Sequence, residues 1–387
     1  MYPTRDPWFW LALFAAASMV VLFVDGLRGA LSLPRLHEVP PVPDAEAPPV
    51  SVVIAARDEE RNLEQALASV LAQRYGPLEV VVVDDRSTDA TGSILDRMAV
   101  GNPRLRVVHL TELPAGWLGK NHALHAGAAE AKGEYLLFTD ADVVMEPDTV
   151  ARAVAFMRDG EVDHAAAAPR VEMPSPALRV FVVLFTLFFA IAFRPWKARD
   201  PRSPAHIGVG AFNLVRAEAY RAAGGHRPIA MRPDDDLKLG KLMKKHGFRQ
   251  DFLVATETLR VEWYRTFGEM VRGLTKNGFA GVDYRLGYVV AVTVAQLLVF
   301  VLPWLAVWFT GGATQLLFGA AVAMAFAMYA GAARGQGVSP LNGVLFPVAT
   351  LAFLYVVWRA TLVTLTTGGI EWRGTRYPLD ELRANEV

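Results

Sequence analysis

The segment Phe138-Thr139-Asp140-Ala141-Asp142-Val143 sets two carboxylates one residue apart at the end of an apolar, strand-like run, Tyr135 to Phe138. Where a backbone leaves a sheet, such a pair offers hard oxygen ligands to a divalent cation, whose other positions go to the phosphates of a substrate. Two Asp in a turn also serve ordinary turn chemistry by bonding nearby backbone N–H groups. The neighbouring acidic clusters weigh between these readings. Arg57-Asp58-Glu59-Glu60 follows the apolar run Val50 to Ala56, and Asp84-Asp85-Arg86-Ser87-Thr88-Asp89 follows Leu78 to Val83. Taken singly, each cluster reads as an acidic cap on the next helix. Taken together, carboxylates at three strand ends repel one another unless a cation or hydrogen-bond donors share the site. A further acidic run, Pro233-Asp234-Asp235-Asp236-Leu237, opens a helical pattern. One cap needs one carboxylate, so three consecutive Asp leave candidates for a general base.

These clusters need elements to hold them. Val50 to Ala56 predicts a buried strand, Glu59 to Gln73 a helix, Leu78 to Val83 a strand and Thr91 to Met98 a helix. Leu105 to His109 predicts a strand, Asn121 to Ala131 a helix and Tyr135 to Phe138 a strand. Continuous apolar strands alternating with helices predict an α/β fold with a mostly parallel sheet covered on both faces. Ligands on such sheets bind outside the carboxyl ends of the strands, where all these acids fall.

The 387 residues are 53% hydrophobic and 20% charged, but unevenly so. Between Gly287 and Ile370 the only charges are Arg334 and Arg359, whereas acids and bases are dense from Val50 to Arg285. This predicts a water-facing domain at 50–285 joined to membrane helices. Trp8 to Val24 is an uncharged apolar run and predicts an N-terminal transmembrane helix within 1–32. A cleaved signal peptide is the rival; the sparse positive charge ahead of the run and the lack of a clear small-x-small cleavage site disfavour it. Residues 33–49 carry six prolines and predict an extended linker. Tyr288 to Phe309, Gln315 to Ala330 and Val344 to Thr366 predict three spans within 286–368, followed by a tail at 369–387. Val180 to Phe193 is shorter; within 178–197 it predicts an in-plane interfacial helix, with a buried core helix as the alternative. The formal net charge is zero, so nothing points to nucleic acid. The absence of cysteine excludes disulfides and thiolate catalysis.

In order, Val52 to Glu59, Val82 to Asp89, Gly116-Trp117-Leu118-Gly119-Lys120-Asn121-His122-Ala123, Asp140-Ala141-Asp142 and Asp235-Asp236 resemble the motifs of family 2 glycosyltransferases. The resemblance covers about Val50 to Asn277 and is closest to the membrane-bound, lipid-glycosylating branch similar to ceramide glucosyltransferase-like and hopanoid-associated enzymes. It implies a GT-A fold, a Rossmann-like catalytic domain. It implies that Arg57, Glu59, Asp84 and Asp85 hold the nucleoside and that Lys120 lies near the nucleotide phosphates. Asp140 and Asp142 would bind ribose and Mn²⁺ or Mg²⁺. Asp236 would be the general base beside Asp235, which replaces the family's usual Glu; with Asp234 also present, the register stays open by one.

The Gln and final Trp of the processive Gln-x-x-Arg-Trp motif are missing after Trp263-Tyr264-Arg265, which favours transfer of a single sugar. Arg272 and Lys276 share a helix face. With Trp263 they are candidates for the acceptor or the leaving diphosphate; a basic stripe bordering the bilayer is the plainer reading.

The expected activity is inverting transfer from a nucleotide-sugar, a UDP-sugar first, to a lipid hydroxyl at the cytoplasmic face of the inner membrane, in a multi-pass protein. One rival is a polyprenyl-phosphate sugar transferase. Another is a non-catalytic membrane transport or scaffold protein on a degenerate nucleotide fold. One span before the domain and three after it would put the tail outside, yet Arg373, Arg376 and Arg383 favour the inside.

Overall fold

Val50–Ala56 and Leu78–Asp85 are nearly all buried Val, Ile and Ala, the composition of strands covered on both faces. In a computed structural model, which describes residues 6–387, they lie side by side in a seven-stranded sheet. The strand order is Leu105–Leu110, Leu78–Asp85, Val50–Ala56, Tyr135–Asp140, Asn213–Arg216, His164–Ala168, Gln250–Val254. Asn213–Arg216 runs antiparallel to both neighbours, and the other pairings are parallel. The register matters for function. Ala56 pairs with Asp84 and Ala55 with Asp140, so the acidic clusters leave the sheet at one level. Phe138 pairs with Asn213, which brings the loop before that antiparallel strand beside Asp140.

Among the helices on the sheet, Leu63–Leu71, Thr91–Ala99 and Gly119–Glu130 each lie within a few residues of their expected limits. The largest core lies on one face of the sheet and includes Val52, Ile54, Val80, Val82, Leu137 and Leu214. Val53, Leu136 and Phe138 point to the other face, as the strand period requires, and pack with Leu124, Ile229, Leu239 and Met243.

The chain divides into two compact units. The sheet belongs to the unit formed by Leu33–Val171, Pro195–Glu262 and Glu371–Val387. The other comprises Met1–Ser32, Glu172–Arg194 and Trp263–Ile370. Within the latter, Met19, Val183, Phe188, Phe300, Tyr329 and Phe346 form a core, and Arg194 holds Asp25 through Nη2 at 2.7 Å. Large apolar side chains also cover its outside: Trp308 is 80% and Phe309 87% exposed. An apolar exterior on that scale fits lipid rather than water.

Among the described residues, five helices are long and apolar enough to cross a membrane: Pro7–Ser32, Pro176–Lys197, Leu286–Ala306, Gly312–Gly335 and Pro340–Thr367. The second is longer than the Val180 to Phe193 run. Pro176, pre-set for a first helical turn, starts the helix earlier, and Arg194 ends it in a left-handed conformation at φ 47°. In the third, a π-helical turn at Leu297–Val301 precedes Pro303, which lacks the N–H that a regular ladder would use. The sheet-bearing unit also contains the tail, Glu371–Val387.

Candidate active site

Lys120 draws the acidic elements together. Its ammonium lies 2.8 Å from Asp140 Oδ1 and 3.6 Å from Asp235 Oδ2, linking the end of the Tyr135–Asp140 strand to the start of the Asp235–Lys245 helix. Burial works against its charge, but Asp140, then Asp235 and Asp236, outweigh burial and raise its pKa. A small cavity beside it is lined by Asp140, His226, Asp235 and Asp236 among others.

The three Asp of the acidic run are not equivalent. Asp234 is buried and bound by both arms of Arg232, at 2.9 and 3.0 Å, with Lys238 at 3.6 Å. Asp236 accepts the Gly210 N–H at 2.7 Å on Oδ2 and the Leu237 N–H at 2.8 Å on Oδ1, which fixes its carboxyl group. Burial, and then the negative charge of Asp235, push the Asp236 carboxyl up to about 7. A base is most effective with a pKa near the working pH, and Asp236 has one while Asp234 is neutralised by cations.

Asp142 differs from Asp140. Burial, then Asp140 and Glu59, push its carboxyl up to about 7. Excess negative charge of this kind is what a divalent cation would relieve. Among the described residues no three His, Cys, Asp or Glu side chains converge on one cation position. Two carboxylates completed by substrate phosphates is the usual arrangement for Mg²⁺, so the donor set fits a cation that arrives with a nucleotide.

At the other two strand ends, Asp85 is buried and gripped by Arg86 through two bonds, 2.8 and 3.0 Å, with Arg57 Nη1 at 3.6 Å. Asp84 instead accepts from the Ser87 N–H at 3.2 Å and lies 2.9 Å from His109 Nδ1, a loop-shaping pair. Glu60 and Asp89 tie the two loops together: Asp89 accepts the N–H groups of Glu60 and Thr91, and Glu60 accepts that of Ala90. Glu59 pairs with Arg373 of the tail. Trp263, Arg272 and Lys276 belong to the other unit, and Trp263 packs there on Phe185 with ring centroids 4.8 Å apart.

Sequence reasoning missed two supports. Gly210 accepts the Asp140 N–H and donates to Asp236, and a Cβ there would sit 2.6 Å from Asp140 Oδ2. The flanking Gly208-Val209-Gly210 pattern was the available signal. Asn121, fully buried, donates to the carbonyls of Ile229, Ala230 and Arg232 at 2.8, 3.1 and 2.9 Å. It clamps the loop that leads to Asp234 onto the helix that carries Lys120. Asn121→Ala should take the Asn121 donor from the Arg232 carbonyl and one of two donors from the Ile229 and Ala230 carbonyls, which also accept the Arg232 and Leu118 N–H groups, and destabilise the fold by about 1–3 kcal/mol. An unchanged thermal midpoint in detergent would show that the clamp is idle.

Comparison with known proteins bears on this arrangement. Residues 51–224 match the family described as Glycosyl transferase family 2. A 4,4'-diaponeurosporenoate glycosyltransferase of Staphylococcus aureus (strain USA300) is 27% identical over 180 residues, 46% of this chain and 46% of that protein. The chain thus spans about half the length of the curated relatives it matches. A mannosyltransferase from Pyrobaculum calidifontis, solved with GDP-Man and Mn²⁺, aligns over 92% of this chain and 98% of its own, with TM-score 0.55 and 22% identity. That likeness gives the fold. Residues 51–224 of this chain are therefore a family 2 glycosyltransferase domain on a GT-A fold, in a chain that also carries apolar helices long enough to cross a membrane.

Proposed function

We propose that the chain is an inverting glycosyltransferase that moves one sugar from a nucleotide-sugar to a hydroxyl of a membrane lipid. The observation that carries this reading is the Lys120 bridge, which sets Asp140 and the Asp235–Asp236 pair around one cavity at the carboxyl ends of the strands. The S. aureus relative, named for glycosylation of diaponeurosporenoate, supports an apolar acceptor. The GDP-Man and Mn²⁺ of the Pyrobaculum complex support a nucleotide-sugar and a divalent cation.

In this reading Arg57, Glu59 and Asp85 hold the nucleoside, with Asp84 shaping their loop. Lys120 stands by the phosphates. Asp140 and Asp142 would hold Mn²⁺ or Mg²⁺, which when bound neutralises the charge of the departing diphosphate. Asp236 takes the proton of the acceptor hydroxyl as that oxygen bonds to the anomeric carbon. The bond from that carbon to the diphosphate oxygen breaks on the opposite face, so one displacement inverts the configuration. Gly210 and Leu237 hold the Asp236 carboxyl in place through the event.

A lipid acceptor explains the helices. Its tail leaves the bilayer only at about 0.8 kcal/mol per CH₂, so the enzyme must come to the membrane. We place the protein in the inner membrane as a multi-pass protein, with its sheet-bearing unit in the cytoplasm where sugar nucleotides are made. The Val180 to Phe193 stretch touches lipid without crossing.

Purified full-length protein in detergent with bacterial membrane lipid, Mn²⁺ and a panel of UDP-sugars and GDP-mannose should give one lipid shifted in mass by a single glycosyl residue. No shift with any donor, under conditions where the protein is folded, would overturn the reading.

A further inference from the structure

The tail Glu371–Val387 folds with the sheet-bearing unit. Strands Gly369–Trp372 and Thr375–Pro378 form a hairpin, and its turn residues Arg373 and Gly374 have φ of 49° and 72°. Left-handed values at both central positions are those of a type I′ turn, which matches the twist of a hairpin. Gly374 accepts this freely, whereas Arg373 does so against its Cβ. Strain of that kind persists where surrounding contacts hold it, often at binding sites.

The contacts of the tail fall on three loops. Arg373 Nη2 pairs with the Glu59 carboxylate, and Nη1 donates to the Asp58 carbonyl at 3.3 Å. The Tyr377 hydroxyl accepts the Gly119 N–H at 3.3 Å, one residue before Lys120. There a Cβ on residue 119 would collide with the Asp85 carboxylate, so the backbone at Gly119, the Tyr377 hydroxyl and Asp85 crowd one spot. Asn385 accepts the Met231 N–H at 2.9 Å and donates to the Pro228 carbonyl at 2.8 Å, in the loop that Asn121 clamps and that leads to Asp234. Leu379 and Leu382 are buried beneath these bonds. A segment serving stability alone needs only its apolar residues covered. Here two of the polar anchors, Arg373 and Tyr377, meet segments that carry the candidate site residues Glu59 and Lys120.

We propose that the tail is a working part of the donor site: Arg373 supplies a guanidinium to the diphosphate of the nucleotide-sugar, and Tyr377 positions the helix start that carries Lys120. This rests on the glycosyltransferase reading above. A guanidinium meets phosphate oxygens in a two-pronged fit that Lys, a point charge, reproduces only in part. Without ligand, Glu59 neutralises Arg373 at the rim; a diphosphate, with more charge and more acceptors, takes its place.

The test uses full-length protein in detergent, with UDP and GDP binding in Mn²⁺ followed by calorimetry, and donor KM and kcat followed by product formation. Arg373→Ala should raise the diphosphate Kd and the donor KM about tenfold, with kcat and the thermal midpoint nearly unchanged. Arg373→Lys should recover part of that loss. Tyr377→Phe should raise donor KM more than it lowers kcat. An unchanged Kd in Arg373→Ala, or a fall in thermal midpoint that accounts for the loss, overturns the proposal and leaves the tail a structural strap. If the wild type binds neither UDP nor GDP, the glycosyltransferase reading fails and this inference with it. If the wild type binds and Arg373→Ala binds equally, only this inference fails.

Discussion

Asp236→Asn should lower kcat by roughly 10²-fold or more while donor affinity stays nearly unchanged, because general-base help of that size acts only in the transition state. The substitution keeps the size of the group but removes its capacity to take a proton. Wild-type kcat/KM should fall as pH drops through about 7, where burial and Asp235 place the Asp236 carboxyl. The sign follows from the role: below that pH the base already holds a proton. The variant should lack this limb in its residual activity. Asp235→Asn is the informative control, since Asp235 faces Lys120 at 3.6 Å while the Gly210 and Leu237 amides fix Asp236. If Asp235→Asn loses turnover while Asp236→Asn keeps it, the base is the neighbouring residue. If both keep it, the acceptor is a group that needs no base, as in transfer to a polyprenyl phosphate.

The strand ends were legible in the sequence because local pattern alone sets them. Runs such as Val80-Val81-Val82-Val83 are apolar on both faces and stop at an acid, so Asp85 and Asp140 appear where a parallel sheet presents ligands. The antiparallel strand Asn213–Arg216 was not legible. Four residues show too little periodicity, yet this strand delivers Gly210 to both Asp140 and Asp236. Asp84 and Asp85 read alike in sequence, and only long-range pairing separates them, one to His109 and the other to Arg86 and Arg57. Asp234, Asp235 and Asp236 likewise read alike in sequence, and the bidentate hold of Arg232 sets Asp234 apart. The tail's return to Glu59 and Gly119 left no mark in local composition beyond its arginines.

Excess EDTA should abolish transfer, and Mn²⁺ or Mg²⁺ should restore it. Burial and the charges of Asp140 and Glu59 push the Asp142 carboxyl up to about 7, so its ionised form is disfavoured where it stands. A carboxylate kept at such a place against its own solvation is stabilised when a cation and a diphosphate arrive together. Two measurements besides activity follow. The wild-type thermal midpoint should rise when Mn²⁺ and UDP are added together, because a ligand that binds only the folded state stabilises it by mass action. Asp142→Ala should lose most of that rise and should bind UDP more weakly in Mn²⁺ by calorimetry. Without metal, the same substitution removes a carboxyl that repels its neighbours, so the midpoint of the metal-free variant should be no lower than that of the metal-free wild type. Full activity in excess EDTA would remove the cation from the reaction. A midpoint for Asp142→Ala that still rises with Mn²⁺ and UDP as in the wild type would move the cation to other ligands.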